Sequence, residues 1–264
     1  MLRVMTWNIR TGGRDRGGPD RRDRVLTVLT GQRPDVLALQ ELRGFDAGAL
    51  AGFAARIGMR GHLARSCFGQ PVAVLVRPPW RVVGAGPLRR PFHHAAQRVA
   101  LATGAGPLTV LSTHLDPYSG TRRLVEAGWA ATALRRAPGE LALLAGDLNT
   151  LDPVTDHTDR LARLAPPYRR RHLRRDGRTV DSRAVARLLE AGLVDLYPAG
   201  TPDAGLTVPT RHGGGEFAGM RLDYLLGTPA LAARVRSCRV LRGGETEYAS
   251  DHYPVVAELD LNPA

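Results

Sequence analysis

Polar residues suited to binding metal ions or transferring protons stand at the boundaries of short apolar runs in this sequence. Four apolar runs end in such residues, and two later segments begin with them. Strands that run antiparallel to the others bring their first residues to the same sheet edge as the last residues of the others. One rim is therefore expected to collect Asn8, Glu41, His114, Asp147, Asn149, Asp223, Asp251 and His252.

The chemistry of this set favours a hard cation. The side chains offer mainly oxygen, with no cysteine and few histidines, which suits Mg²⁺ or Mn²⁺ better than zinc. Asp147 and Asn149 are two residues apart, so an extended chain points both the same way, toward one water or phosphate. A cation held by one or two carboxylates, with positions open to water and phosphate, is what phosphoester hydrolysis requires.

Each residue taken alone also has a purely structural interpretation. Asn8 is typical of a turn at a strand end, and His114 and His252 fit ordinary buried or surface histidines. Asp223 stands inside an apolar run, where a carboxylate is costly unless it is paired, and a structural ion pair with arginine would satisfy it. The joint pattern favours a shared site. We assign no role to His62, His93, His94, His157, His172 or His212.

Short Val- and Leu-rich runs alternate with helical patterns, which predicts a mixed α/β chain. The predicted helices are 21–30, 47–57, 121–135 and 182–191, and irregular segments are expected at 11–20, 152–178 and 201–219. Strands are predicted at 2–9, 36–39, 62–64, 72–76, 81–85, 98–103, 108–113, 141–145, 222–226, 237–241 and 254–259. A chain of 264 residues can form one large core, so we expect a single domain over 1–264 and a monomer.

The formal net charge of +12 favours contact with polyanions, with DNA the favoured partner. All 37 basic residues are arginine, which also fits the codon bias of a GC-rich genome, so both explanations of the charge stand. The same two interpretations apply to the basic segment 168–178, as a phosphate-backbone contact or as a solvated loop.

Compartment and cysteine usage give weaker expectations. No uninterrupted apolar stretch is long enough to span a bilayer, and the N-terminus lacks the pattern of a signal peptide, so a cytoplasmic location is expected. Cys67 and Cys238 are expected to be small buried hydrophobes, and a disulfide between them stays open.

Six motifs in chain order resemble the endonuclease/exonuclease/phosphatase superfamily, which includes DNase I-like nucleases. They extend over nearly the whole chain: Thr6-Trp7-Asn8, Leu39-Gln40-Glu41, Ser112-Thr113-His114-Leu115, Gly146-Asp147-Leu148-Asn149, Arg221-Leu222-Asp223-Tyr224 and Ser250-Asp251-His252-Tyr253-Pro254-Val255. The resemblance implies an α/β fold of the α+β type. Its architecture is a four-layer sandwich in which two mixed β-sheets pack face to face, with helices outside.

The resemblance also implies a metal site and a phosphate contact. Glu41 would be the principal ligand of Mg²⁺ or Mn²⁺, assisted by Asn8 and Asp251. Whether the site holds one ion or two stays open. Arg221, within its motif, would contact the substrate.

The remaining motif residues would carry the catalytic chemistry. Asp147 and Asn149 would orient the attacking water and the scissile phosphate. His252, held by Asp223, would act as general base or stabilise charge on the phosphate. His114 would contact a phosphate oxygen or protonate the leaving group.

These roles predict a divalent-metal-dependent phosphodiester hydrolase, most simply a DNase-like nuclease that uses a metal-assisted water. One alternative is hydrolysis of a phospholipid headgroup or a small phosphoester. Another is a catalytically silent binding module, but the complete ligand set argues against it. At Leu42-Arg43 and at Val208 the sequence differs from the motifs of abasic-site endonucleases. These differences argue against a dedicated role in base-excision repair. Endo or exo action stays open.

Overall fold

Strands and helices alternate along residues 1–197 and 205–264, which the computed structural model describes. The strands are β1 (Leu2–Asn8), β2 (Val36–Gln40), β3 (Arg60–Ala64), β4 (Val72–Val76), β5 (Val82–Pro87), β6 (Ala95–Leu101), β7 (Leu108–His114), β8 (Leu141–Asp147), β9 (Val194–Asp195), β10 (Asp223–Gly227), β11 (Val235–Val240) and β12 (Val255–Leu259). The helices are α1 (Arg22–Gln32), α2 (Ala47–Arg56), α3 (Gly120–Arg135), α4 (Thr158–Ala162), α5 (Pro166–Arg169), α6 (Arg183–Glu190), α7 (Pro229–Ala232) and α8 (Thr246–Ala249).

The strands form two mixed six-stranded sheets. The first has the order β11-β12-β1-β2-β4-β3 and the second the order β5-β6-β7-β8-β10-β9. At the centre of each sheet lies one parallel pair, β1 with β2 and β7 with β8, and the other pairings are antiparallel. The last residues of β1 and β8 meet across the two sheets, since Asn8 donates to Asp147, so both parallel pairs end where the sequence places its polar residues.

Side chains that alternate along each strand divide the core into layers. On β1, Leu2 and Val4 join the core between the two sheets, whereas Met5 and Trp7 pack outward with residues of α1 and α2. The outer face of the second sheet packs against α3 and α6 in the same way. Each fully buried aliphatic side chain stabilises the fold by about 1.5 to 3 kcal/mol. The helix, sheet, sheet and helix layers confirm the predicted four-layer sandwich.

The four predicted helices are confirmed as α1, α2, α3 and α6, with ends shifted by one or two residues. The prediction that 152–178 is irregular throughout was wrong, because α4, α5 and a 3₁₀ turn at Arg170–His172 lie within it. Pro166 begins α5, where its fixed φ and missing N–H suit the first helical turn. Part of the predicted loop 201–219 lies outside the described residues.

The two cysteines differ in environment. Cys238 is buried and Cys67 is exposed, and both are free. The expectation of a small buried hydrophobe thus holds for Cys238 and was wrong for Cys67, which stands in an irregular connection between β3 and β4. Within the described parts of the chain, no helix has the length and apolar character needed to cross a membrane.

Candidate active site

Strand alternation explains why several site residues point into the gap between the sheets. On β1 the inward positions are Leu2, Val4 and Thr6, so Asn8 continues the same face. On β8, Leu143 and Ala145 point inward, so the two-residue alternation also points Asp147 inward. His114 and Asp223 follow in the same way from Val110 and Leu225, and each pairs with Asp147 across its ladder.

His252 and Asp223 form a buried pair at this end of the gap. His252 Nδ1 lies 2.8 Å from Asp223 Oδ2, and the Thr207 hydroxyl accepts the backbone N–H of Asp223. The Trp7 indole N–H donates to the His252 carbonyl over 2.8 Å and fixes the backbone. Burial lowers the pKa of His252, but the carboxylates of Asp223 and Asp147 outweigh it and hold that pKa well above its usual value.

Asp147 lies at the centre of the group. Its Oδ2 accepts from Asn8 Nδ2 at 3.0 Å and lies 3.4 Å from His114 Nε2 and 3.8 Å from His252 Nε2. Its Oδ1 accepts the backbone N–H of Asn149 at 2.8 Å. Burial raises the pKa of Asp147 to about 7, and the same cause lowers the pKa of His114 to about 3, so His114 is a neutral imidazole.

Glu41 lies beside Asp147 and shares a partner with it. Asn8 Nδ2 donates to Glu41 Oε1 at 3.0 Å, so one amide bridges both carboxylates. Glu41 Oε2 accepts from the Thr11 backbone N–H and from Gln70 Nε2, each at 3.0 Å. Glu41 itself has a φ of 59°, a left-handed conformation that L residues with a side chain adopt at a cost of about 1 to 2 kcal/mol. Its position is therefore held by the surrounding structure rather than by local preference.

Asp251 completes the acidic side of the group. Arg10 Nη1 lies 3.3 Å from Asp251 Oδ2, and the Ser250 hydroxyl donates to the Asn8 carbonyl at 2.6 Å, which ties this segment to the end of β1. Burial raises the pKa of Asp251, and the nearby Glu41 carboxylate raises it further. Two neighbouring carboxylates that repel each other are stabilised by a cation between them.

Two neighbouring groups here offer ligands to a cation. The first is Asp147, Asp223 and His252, whose ligand atoms all lie within 4.8 Å of one another. In that group His252 Nδ1 and Asp223 Oδ2 are already paired at 2.8 Å. The second group is Glu41 with Asp251 and the Asn8 amide oxygen, an all-oxygen set that suits a hard divalent ion. The chemistry of the second donor set therefore fits a Mg²⁺ or Mn²⁺ ion.

A cavity of about 600 Å³ opens over these groups. Among the predicted site residues, those that line it are Glu41, His114, Asp147, Asn149, Asp251 and His252. Asn8 and Asp223 lie just behind its wall and contact the lining residues. Further lining residues had no role predicted from the sequence, among them Arg10, Phe68, Gln70, His93, His94 and Tyr118, and Arg171 belongs to the basic segment 168–178.

The start of β6 explains why two neighbouring histidines, His93 and His94, reach the cavity. β6 begins at Ala95 and runs antiparallel to β7, with Ala95 paired to His114. A strand predicted from 95 rather than 98 would have placed His94 at the polar rim, where its ring now stacks 4.2 Å from that of His114.

Arg221 lies apart from this cavity. Its guanidinium pairs with Asp195 and lies over the Tyr224 ring, 4.4 Å from the centroid, and over the Tyr197 ring at 5.6 Å. Its side chain is only 11% exposed. These contacts assign Arg221 to holding β9 against the start of β10, and the implied substrate contact is not supported by its position.

Comparisons with known proteins agree with this architecture. The family model described as Endonuclease/Exonuclease/phosphatase family matches residues 5–252. Among curated proteins, none matches the sequence at a significant level.

Solved structures with similar folds include an AP endonuclease from Archaeoglobus fulgidus, with 22% identity, a TM-score of 0.73, and coverage of 98% of this chain and 100% of that one. Truncated Caenorhabditis elegans TDP2 is 20% identical with a TM-score of 0.67, over 100% of this chain and 98% of that one. The 3′ phosphatase NExo from Neisseria, bound to product DNA hairpin, is 21% identical with a TM-score of 0.66, over 98% and 100%. At these identities the likeness concerns the fold.

Proposed function

Because the chain belongs to the endonuclease/exonuclease/phosphatase family, we propose that its cavity hydrolyses phosphodiesters with the aid of a divalent cation, and that DNA is the substrate. One observation carries the proposal. The Asn8 amide bridges Glu41 and Asp147, while the pair of His252 and Asp223 faces the same Asp147 carboxylate. An acidic ligand set and a fixed imidazole thus meet in one cavity, as hydrolysis of a phosphoester requires.

The cation would be held by Glu41, Asn8 and Asp251. When bound there, Mg²⁺ or Mn²⁺ offsets the charge on the phosphoryl oxygens and polarises the bond that breaks. The carboxylates of partly exposed Glu41 and buried Asp251 repel each other, and a cation held between them would offset that repulsion.

The residues opposite this ligand set would act on the water and the phosphate. Asp147 and Asn149 orient the attacking water, whose oxygen bonds to phosphorus while the bond to the leaving oxygen breaks in line. The Asp147 carboxylate accepts the proton that the water loses, and solvent protonates the leaving oxygen. His252, fixed by Asp223, carries positive charge toward the phosphoryl oxygens, which favours the charge-stabilising role over that of a base. His114, neutral by burial, contacts a phosphate oxygen through hydrogen bonding rather than as an acid.

Charge supports nucleic acid as the substrate. Arg10, Arg43 and Arg171 line the cavity, and the chain as a whole carries a formal net charge of +12. Guanidinium groups match phosphate oxygens in two-point hydrogen bonds, and positive patches attract the polyanionic backbone from a distance.

A substrate panel tests the proposal. Plasmid, single-stranded DNA, RNA, a phosphoinositide and sphingomyelin are each incubated with Mg²⁺ or Mn²⁺, and product is followed with time. Glu41→Ala and His252→Ala should each lower the rate by at least about 10²-fold, the usual scale for a positioned catalytic group. The matched controls Glu140→Ala and His62→Ala remove the same residue types outside the cavity and should retain the wild-type rate.

The outcomes separate the alternatives. DNA cleavage that both catalytic variants abolish supports the nuclease. Cleavage that survives both variants points to a contaminant and defeats the proposal. Turnover confined to a phosphoinositide or to sphingomyelin would keep the chemistry and replace the substrate, and a folded protein without turnover on any substrate would favour a silent binding module.

A further inference from the structure

An aromatic wall lies on one side of the cavity. Phe68 and Tyr118 line the cavity together with Glu41 and His252, yet Phe68 is 56% exposed and Tyr118 is 63% exposed. Aromatic rings contribute to stability chiefly when they are buried, so rings held open to solvent inside a polar cavity are poorly explained by folding alone. Their place within the cavity points to a ligand with a flat apolar face.

The wall has a fixed backing. The His93 ring stacks on Phe68 with centroids 4.3 Å apart and planes 7° from parallel, and Tyr118 meets His93 edge-on at 5.9 Å. His93 Nδ1 lies 3.0 Å from Asp116 Oδ2, and buried Glu126 accepts the backbone N–H of His93. The imidazole is therefore fixed from behind, and one face of Phe68 is already covered.

A basic residue stands at the edge of the same wall. The Arg171 guanidinium lies over the Tyr118 ring at 5.3 Å and over the Tyr168 ring at 5.1 Å. Fully buried Arg123 donates to the carbonyls of both Arg171 and Asp116, at 2.6 and 3.1 Å, and so joins the basic segment to the aromatic wall. Flat rings beside a cation repeat the arrangement that proteins use for single strands, in which bases stack and phosphates are neutralised.

We infer that Phe68, backed by His93 and flanked by Tyr118, is a stacking platform for one unpaired nucleobase beside the scissile phosphate, with Arg171 on an adjacent phosphate. The inference rests on the proposed phosphodiesterase function and narrows its substrate to single-stranded or frayed nucleic acid. In a duplex both faces of each internal base are covered by the neighbouring bases, so no base face is free to stack on the Phe68 ring. A lipid surface fits less well, because Phe68 stacks on the His93 ring in a cavity that arginines also line.

Two single-stranded substrates with the same phosphates test the platform. One is a fluorescent oligothymidylate, and the other is an oligomer of equal length built from tetrahydrofuran abasic units, which lack bases. Stacking contributes about 1 to 3 kcal/mol per base, so the wild type should prefer the base-bearing oligomer by about 5- to 150-fold in kcat/KM. The preference should appear mainly in KM, and the same sequence as a blunt duplex should be cleaved more slowly.

Variants assign the preference to the ring. Phe68→Ala should bring the ratio of the two kcat/KM values close to one, whereas Phe68→Trp should keep or increase it. Tyr248→Ala is the matched control, since Tyr248 is a 44% exposed aromatic residue that does not line the cavity, and its ratio should equal that of the wild type. Thermal melting checks that each variant is folded.

The failures are distinguishable. If the folded wild-type protein hydrolyses no phosphodiester, the proposed function and this inference are overturned together. Equal cleavage of both oligomers by the wild type, a preference for the abasic oligomer, or an unchanged ratio in Phe68→Ala overturns the platform alone. Phe68-dependent binding to sphingomyelin vesicles with an unchanged ratio would assign the ring to a lipid surface and likewise overturn it.

Discussion

Replacing Asp223 with asparagine is expected to remove most of the catalytic rate while leaving the shape of the site intact. The Asp223 side chain is fully buried, and its Oδ2 lies 2.8 Å from His252 Nδ1. Asparagine has nearly the same volume and can still accept the hydrogen bond from the ring. The change that remains is the loss of one negative charge next to the imidazole.

The magnitude follows from the distance. Two unit charges 2.8 Å apart attract each other by about 6 kcal/mol when the effective dielectric constant is about 20. Asp147, 3.8 Å from the other ring nitrogen, keeps part of this attraction. We therefore expect Asp223→Asn to lose about 3 to 5 kcal/mol of transition-state stabilisation, which lowers kcat by about 10² to 10⁴-fold.

The assay is steady-state hydrolysis of a fluorescent oligonucleotide at saturating Mg²⁺, with kcat and KM determined separately. Asp195→Asn is the matched control, because it removes a partly buried carboxylate that pairs with Arg221 away from the cavity. That control should lose stability but keep its kcat. A folded Asp223→Asn protein with kcat within about threefold of the wild type would refute a charge-stabilised His252.

Three further changes have defined outcomes. Glu41→Gln should raise the Mg²⁺ concentration for half-maximal rate by at least about 10-fold, because a carboxylate ligand is lost, and an unchanged Mg²⁺ titration would contradict this. Gly146→Ala should lower the free energy of unfolding by at least about 3 kcal/mol in urea, since its Cβ would lie 1.9 Å from a backbone oxygen of β7, whereas Gly215→Ala, with open space around it, should change it little. Arg221→Met should lower the free energy of unfolding by about 3 kcal/mol because Asp195 loses its partner, with kcat/KM nearly unchanged; a selective rise in KM would restore its role in substrate contact.

Regular strands are where sequence reasoning about this site succeeded. The two-residue period of β1, β7, β8 and β10 sets the direction of each side chain, and the rule that antiparallel strands share an edge sets its position. Asn8, His114, Asp147 and Asp223 therefore converge as predicted. Their catalytic and metal-binding roles stay predictions until variants are measured.

Irregular segments are where sequence reasoning had no guide. Phe68 and Tyr118 lie in connections between elements, and no periodicity fixes where such residues point. Gln70 reaches Glu41 through a loop whose path depends on tertiary contacts. The partner of Arg221 was equally hidden, because Asp195 lies in a two-residue strand too short to detect, and the substrate contact that its motif implies stays a prediction.

The position of the cation tests the central claim most directly. Crystals grown with Mn²⁺ and a 5′-phosphorylated dinucleotide would locate the ion by anomalous scattering. We expect a single strong peak, or the stronger of two, within about 2.3 Å of a Glu41 oxygen and close to Asp251, with the phosphate between that ion and His252. A strong peak confined to Asp147, Asp223 and His252, or none in the cavity, would contradict the account.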